Sequence, residues 1–588
     1  MHKSFDEIIG GLSNPGNEGE NKVTTLEAAI AQNVSPGMTL HFGGEPSAAI
    51  RQIMRQFWGH KPHFIIVSGG VSRPYASGLI RYGLARKVIT SSQENPYGPP
   101  VCPNGLSSAT PLGHEIEVEN WSIYSVEQRL MAGALGVGFM PTNSIAGSAM
   151  AQENPESFKM IADPFESGVQ QAVVKALVPD ISFVHGCVAD PYGNTILPMP
   201  YSDTIWGPRA SRNGVVVTVE KVVSTDHIRQ YPGLVKLPGY LVKSVCVAPL
   251  GSHPHGMATP HVEGFEGYDI DSEFLAVHDQ AAPIPGTLDA WMEEWIIGCG
   301  SQEQYLEKLG QERMALLQGK AVLEAWENEL AGALASINAN QKPNTDEIML
   351  IAAAREIKEK AVEKGHRTIL SGWGTIGLAA WLAYHWLRQE GYGMDLLWGL
   401  GRIGYIPLPG QTNPRGVSQD FTSKILTDTT EIYGVVVGGR NARCISVLGA
   451  LQIDRLGNIN NSQVGPLSLG AGGAGDAINA NETIVIVKHS PNRVVEKVDY
   501  VTCPGNRIKT LVTSLGVFKK LGDDDEFTLT ACLPNGQSPT LEARIRKIKE
   551  TCGWEIKVAA DVVDVSPPTE EELLWLRLLD AHGTLAEE

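Results

Sequence analysis

Glycines, carboxylates and histidines stand in this chain at spacings that can support chemistry. Gly43-Gly44, Ser68-Gly69-Gly70, Gly372-Trp373-Gly374 and the run LGAGGAGDAI, with Gly470, Gly472, Gly473 and Gly475, all follow stretches that read as strands. Glycines there let the backbone approach a ligand closely, and the N–H groups of a following helix attract anions. Any one of these loops also fits a tight strand-to-helix turn that holds nothing. The segment EIEVENWS puts Glu115, Glu117 and Glu119 at strand alternation, so the three share one face. That face is either a solvated sheet edge or a way to aim one carboxylate into a cleft for acid–base work. GSHPHGMATPH holds His253, His255 and His261. Their spacing fits no common zinc pattern, and the prolines and glycines make the segment a loop with packed or solvated imidazoles.

The elements that must carry these residues alternate. TTLEAAIAQNVSPGMTLHFGG reads as helix, turn and strand, PSAAIRQIMRQFWGHK as an amphipathic helix, and HFIIVSGG as the next strand. Strand, glycine loop, helix, strand is the rhythm of a parallel sheet with helices on its faces. It continues through NGVVVTVEKV and VKSVCVAPLG, then gives way to a charged helical stretch that ends in NANQKPNTDE. Afterwards it restarts with EIMLIAAAREIKEKAVEKG, RTILSG, WGTIG, LAAWLAYHWLRQEG and DLLWGLG. The expected organisation is a loose lead-in over 1–22, a first α/β domain over 23–300, a helical connector over 301–345 and a second α/β domain over 346–588. A repeat supports the two similar halves: ISFVHGCVADPYGNT at 181–195 returns as ISVLGALQIDRLGNI at 445–459. Each copy is an apolar strand that ends in Asp-x-x-Gly-Asn, a turn in which Gly and Asn accept positive φ and Asp caps backbone N–H groups. The 470–475 run matches a dinucleotide-binding fingerprint only loosely. The acid it would need, Glu496, falls in VVEKVDYV, which reads as strand or turn.

Bulk properties narrow the class. At 588 residues the chain exceeds one core. A hydrophobic content of 43% and a charged content of 19% are those of a globular protein. The formal charge of -18 argues against nucleic acid as a partner, because phosphate neutralisation needs clustered Lys and Arg. Eight scattered cysteines without a C-x-x-C pair read as small buried hydrophobes in a reducing compartment. The opening MHKSFDEIIGGLSNPGNEGENK has no apolar signal core, and no run approaches about 18 uninterrupted apolar residues. A cytoplasmic protein without membrane association is expected.

Taken together, the segments resemble the family I coenzyme A transferases, and within them the glutaconate CoA-transferase branch, with α-type and β-type subunits joined in one chain. PGMTLHFGG, EVENWSIYSVEQRLMAGALGVGFMPTNS, PDISFVHGCVADPYGNT and VVVTVEKVVSTDHIR look α-type; VLGALQIDRLGNIN, GAGGAGDAI, VVEKVDYVTCPG and PPTEEELLWLRLLD look β-type. The resemblance spans nearly the whole length. It implies two similar open α/β domains packed with a cleft between them, an acyl-CoA bound in that cleft as substrate, and assembly as a homo-oligomer. It implies no tightly bound cofactor and no metal. By the same resemblance Gly43, Gly44, Ser68, Gly69, Gly70, Gly399 and Gly401 would surround the acyl group, and Gly472, Gly473, Ala474 and Asp476 would receive CoA.

One residue of the family pattern is missing. Such transferases carry CoA on a β-type glutamate in a strand–Glu-x-Gly motif, a case of nucleophilic catalysis by carboxylate. The matching stretch here is DLLWGLGRIGYIP, with Gly399 at the glutamate position and no acid between Asp395 and Asp420. The same loss marks a neighbouring branch that resembles these transferases, the CoA-ester hydrolases that open the last steroid ring, in which an α-type glutamate is the acid/base. Retro-Claisen cleavage needs a base for water and donors for the resulting oxyanions, and no covalent carboxylate. Glycine at 399 would also leave room for a bulkier acyl group or for the water. Glu119 is the expected base, because EVENWS looks like the α-type E-E-(aromatic)-S segment, although Asn120 stands where the family has its second acid. Glu45 and Glu94 are rivals that read as structural. The leading expectation is hydrolytic C–C cleavage of a β-keto or β-diketone CoA ester. The alternatives are a CoA transferase with a relocated carboxylate and a non-catalytic acyl-CoA-binding protein. Trp373, Trp398 and Tyr405 suggest a large pocket lined by aromatic rings.

Overall fold

The computed structural model describes residues 3–13, 19–71, 74–92, 116–258, 262–282, 284–334, 337, 341–409, 416–465, 467–522, 525–536, 538–581, 583 and 585. Glu94, Cys102, Glu115 and His261 lie outside the described residues.

The expected rhythm produces two mixed sheets with parallel centres and antiparallel additions towards their edges. In the first half, Thr39–Gly43 pairs in parallel with Phe64–Ser68 on one side and Ile181–Ala189 on the other. Ala85–Thr90 and then Glu117–Asn120 extend the sheet to one edge, and Val215–Val222 with Val242–Val247 extend it beyond Ile181–Ala189. All nine residues of Ile181–Ala189 are buried, as a central strand covered on both faces requires. In the second half, Thr368–Leu370 lies between Asp395–Trp398 and Cys444–Gly449, again all parallel, with Glu482–Val487 and Ile508–Thr513 beyond. Helices cover these sheets. Ser47–Phe57 packs in a core with Phe42, Phe64 and Ile66. Thr345–Lys364 and Gly377–Gln389 pack on the second sheet together with Leu573, Leu576 and Leu579 of the C-terminal helix.

The repeated turn is the same object twice. Asp190 Oδ1 accepts the N–H groups of Tyr192 and Asn194, Asp190 Oδ2 accepts from the Asn194 amide, and Asn194 Oδ1 accepts the Gly239 N–H. Asp454, Leu456, Asn458 and Gly505 repeat all four bonds. Gly193 and Gly457 have φ of 96° and 79°, which explains glycine at both positions.

Between the halves, Gln302–Leu309, Gln311–Lys320 and Ala325–Ala333 form helices, and Leu317 packs with Cys187 and Tyr268 of the first half. Six of the seven described cysteines are buried, and Cys552 is half-buried. Among the described residues no helix is long and apolar enough to cross a membrane.

Candidate functional site

In an open parallel sheet, ligands gather at the carboxyl ends of the strands, where the strand order reverses. Both sheets point that end at the same space. A cavity of about 630 Å³ is lined from the first half by Gly43-Gly44-Glu45, Gly69-Gly70 and Ser91-Ser92. The second half supplies Ser371-Gly372-Trp373, Trp398-Gly399-Leu400 and Gly472-Gly473-Ala474. Its volume falls within the usual range of small-molecule sites, about 300–1,000 Å³. Trp373 and Trp398 stand on its wall with ring centroids 6.0 Å apart. Tyr405 does not: it is buried, accepts the Trp381 indole N–H at 2.9 Å and belongs to the core.

The halves are tied directly around this cavity. Asp476 is fully buried and accepts from Ser122 Oγ and Ser144 Oγ, both at 2.6 Å, and from the Tyr124 N–H at 3.0 Å. Burial pushes its carboxyl up to about 6, against the pull of those donors. The expectation that Asp476 receives CoA is therefore corrected: its oxygens are spent on holding the first half, while Gly472, Gly473 and Ala474 beside it line the cavity. Ser68 and Gly401 are corrected as well. The Ser68 hydroxyl donates to Gly70 O at 2.7 Å, which shapes the turn behind the cavity wall. Gly401, at φ 115°, packs under Thr427 and Pro200, where any Cβ would collide.

Glu119 requires the largest correction. Parallel pairing sets Ile89 opposite Glu119 and Lys87 opposite Glu117, and Lys87 Nζ reaches Glu119 Oε2 at 2.7 Å. Glu119 Oε1 accepts from Arg129 Nη1 at 2.7 Å and from the Trp121 indole N–H at 2.9 Å. Burial alone would raise the carboxyl; Arg129 and Lys87 outweigh it and hold Glu119 below the ordinary range. A carboxylate neutralised by two cations, away from the cavity lining, is a poor base. Arg129, itself buried and set 4.3 Å over the Trp121 ring, needs this partner. Glu119→Gln should accordingly cost about 3 kcal/mol of stability, since it leaves a buried guanidinium with its charge unmatched. The turnover of the folded fraction should stay within about threefold of the parent; paired denaturant titration and initial-rate assays check both.

The acid–base groups on the first-half wall are others. Glu45 follows Gly44 (φ 63°) and is separated from the helix Ser47–Phe57 by Pro46 alone. Its Oε2 lies 3.6 Å from His255 Nε2, and both residues line the cavity. Asp203 lines it too, but is buried and accepts the Gly44 N–H at 2.9 Å. Burial raises the Asp203 carboxyl to about 6, with the Gly44 and Gly69 amides pulling it down and Glu45 pushing it up. Asp203 thus fastens two glycine loops to each other, and it consumes amides that the sequence assigned to the acyl group. His253, two residues from His255, is spent elsewhere: Nδ1 meets the Tyr305 hydroxyl at 2.6 Å and Nε2 meets Asp271 at 3.1 Å.

On the opposite wall, Gly399 stands at the carboxyl end of Asp395–Trp398 as expected, but the space beside it is filled. A Cβ on Gly399 would overlap the Tyr433 hydroxyl oxygen and lie 2.7 Å from Tyr433 Cζ. The same holds for Gly473, so the phenol tip is wedged between the two glycines. The room expected for acyl group or water is taken by Tyr433. Two second-half carboxylates line the cavity, Asp346 and Asp420. Asp346 holds Lys488 at 2.9 Å, and Asp420 is buried against Arg402, whose guanidinium also bonds Gly416 O at 3.0 Å. Asp203 and Tyr433 carry no sequence signal. Glu45 did, as the acid next to a glycine pair.

Known proteins share this architecture. The coenzyme A transferase family model matches residues 23–248. One of the two subunits of glutaconate CoA-transferase from Acidaminococcus fermentans is 26% identical over 330 residues, 51% of this chain and 95% of its own length. Both subunits of 3-oxoadipate CoA-transferase from Pseudomonas knackmussii match. One is 30% identical over 268 residues, 41% of this chain and 95% of its own length; the other is 28% identical over 49% of this chain and 99% of its own length. A cholesterol ring-cleaving hydrolase subunit of Rhodococcus jostii is 29% identical over 167 residues, 25% of this chain and 62% of its own length. The crystal structure of an acyl-CoA transferase from Escherichia coli O157:H7 superposes with a TM-score of 0.63 at 15% identity, covering 95% of this chain and 97% of that one, which establishes the shared fold. The chain belongs to the coenzyme A transferase family.

Proposed function

We propose that this chain unites an α-type half, 23–300, with a β-type half, 346–588, and that it processes an acyl-CoA between them by hydrolytic cleavage of a carbon–carbon bond. The substrate class is a β-keto or β-diketone CoA ester. Matches to both subunits of one 3-oxoadipate CoA-transferase, and the twice-built Asp-x-x-Gly-Asn turn, support the union. The observation that carries the reaction type is at Gly399: no carboxylate stands there, and Tyr433 occupies the place one would need. Asp346 and Asp420, the acids of the second-half wall, are both engaged by cations, which lowers their nucleophilicity.

In this reading Glu45 takes a proton from a water that attacks the ketone carbon, and His255 beside it helps to hold that proton. The C–C bond then breaks, its electron pair passes to the thioester end as an enolate, and the enolate carbon is protonated. A 3-oxoacyl-CoA plus water yields a carboxylic acid and a shorter acyl-CoA. CoA remains a thioester throughout. Lys488 and Arg493, basic residues of the second-half wall, suit the CoA phosphates.

The test is product analysis. The chain, incubated with acetoacetyl-CoA and longer or cyclic 3-oxoacyl-CoAs, should release acid and shortened acyl-CoA without free thiol. Transfer of CoA to an added carboxylic acid, with the carbon skeleton intact, would refute the proposal in favour of a transferase.

A further inference from the structure

Cleavage between two carbonyls develops negative charge twice, and each oxyanion needs a donor already in place. On the first-half wall the glycine-loop amides of Gly44 and Gly69 are directed to Asp203. The second-half wall offers a different donor. Tyr433 lies on a π-helical turn, Ile432–Val437, a local widening of the helix that recurs at functional sites. Its ring is buried in the second-half core, while its hydroxyl reaches the cavity between Gly399 and Gly473. That hydroxyl makes no hydrogen bond to a described residue. Both neighbouring positions must be glycine for it to stand there, because a Cβ on either would collide with it.

We infer that the Tyr433 hydroxyl is the neutral hydrogen-bond donor to the thioester oxygen, which becomes the enolate oxygen when the C–C bond breaks. This rests on the cleavage reading above and adds the residue that stabilises its leaving carbanion. The assignment of oxygens follows from the walls: Glu45 activates water on the first-half side, so the ketone faces it, and the thioester oxygen faces the second half. Tyr433 donates without losing its proton. Burial, with the negative charge of Asp476 adding to it, pushes the phenol well above its ordinary range, so it remains protonated at physiological pH. A neutral acid is what the step needs, since an ionised group would repel the enolate.

The experiment compares the parent, Tyr433→Phe, Gly399→Ala, Glu45→Gln and Glu45→Gln/Tyr433→Phe with acetoacetyl-CoA. It reads kcat, KM and the absorbance of the conjugated enolate that bound acetoacetyl-CoA forms when its C2 proton passes to solvent, a species with the same anionic thioester oxygen as the cleavage enolate. Tyr433→Phe keeps the packed ring and should lower kcat about 100-fold with KM within about threefold, as expected when one oxyanion donor is lost. Gly399→Ala, which displaces the hydroxyl, should do the same. In the turnover-deficient Glu45→Gln background, the Phe change should abolish the bound enolate band. If the parent is active and Tyr433→Phe retains its kcat, the inference is overturned while the cleavage reading stands. If the parent cleaves nothing but the enolate band still depends on Tyr433, the cleavage reading fails and the donor assignment survives. An enolate band indifferent to Tyr433 overturns the assignment.

Discussion

Glu45→Gln is expected to lower kcat for 3-oxoacyl-CoA cleavage by about a thousandfold, with KM little changed, because removal of a positioned general base costs about 10²–10⁴. Gln keeps the size and hydrogen-bonding reach of the side chain and loses only its basicity. Among the described residues, the first-half carboxylates nearest to it in role, Glu119 and Asp203, cannot substitute. Glu119 is held between Arg129 and Lys87, outside the cavity lining. Asp203 is buried, and its oxygens are committed to the backbone of two loops. Glu45 is the partly exposed one, with 22% of its side chain accessible at the cavity and an imidazole 3.6 Å away. His255→Ala should weaken activity less than Glu45→Gln, since it removes a partner rather than the base. Steady-state kinetics on both, with folding checked by circular dichroism, settles the order; equal rates for Glu45→Gln and the parent would return the search to other groups.

The second large effect concerns position 399. Placing a carboxylate at the proposed carrier position, as Gly399→Glu, should not create a CoA-carrying enzyme. The new Cβ would collide with the Tyr433 hydroxyl, and the forced rearrangement of a packed wall costs about 1–3 kcal/mol. Coupling it to Tyr433→Ala removes the obstruction. The double variant should form a glutamyl-CoA thioester with acyl-CoA, seen as added mass on the intact chain and released by hydroxylamine. The single variant should show neither. The two substitutions are thus expected to be strongly non-additive, as residues competing for one volume must be. A carrier that works in the single variant at native stability would mean that Tyr433 does not fill the carrier's place.

These contrasts also mark what can be read from the sequence. The parallel sheets, the restart after the helical stretch and the two Asp-x-x-Gly-Asn turns were legible, because each is written locally: apolar runs of strand length, glycines after them, and a self-capping turn. The glycine at 399, at the end of a strand, was legible as well, being a single residue in the sequence. What filled the space beside it was not. Tyr433 lies 34 positions further on and reaches Gly399 only through the folding of a π-helical turn over the sheet. Glu119 misled for a related reason. Strand alternation gives the face of a side chain but not its neighbours. Lys87 belongs to the adjacent strand and Arg129 to the helix Ile123–Leu135, so the cage around the carboxylate is a property of tertiary structure. Asp476 looked like part of a ligand loop because Gly472 and Gly473 beside it line the cavity; its burial under Ser122 and Ser144 joins two segments more than 300 residues apart.

The most direct test is cleavage of a 3-oxoacyl-CoA in water labelled with ¹⁸O under single-turnover conditions. Attack by water on the ketone places one labelled oxygen in the released acid and none in the surviving thioester, and leaves the protein unlabelled. Labelled oxygen recovered in a protein carboxylate, or in the C1 carboxyl of an uncleaved 3-oxo acid freed from CoA, would mean that the thioester carbon was attacked instead, and the account would be wrong.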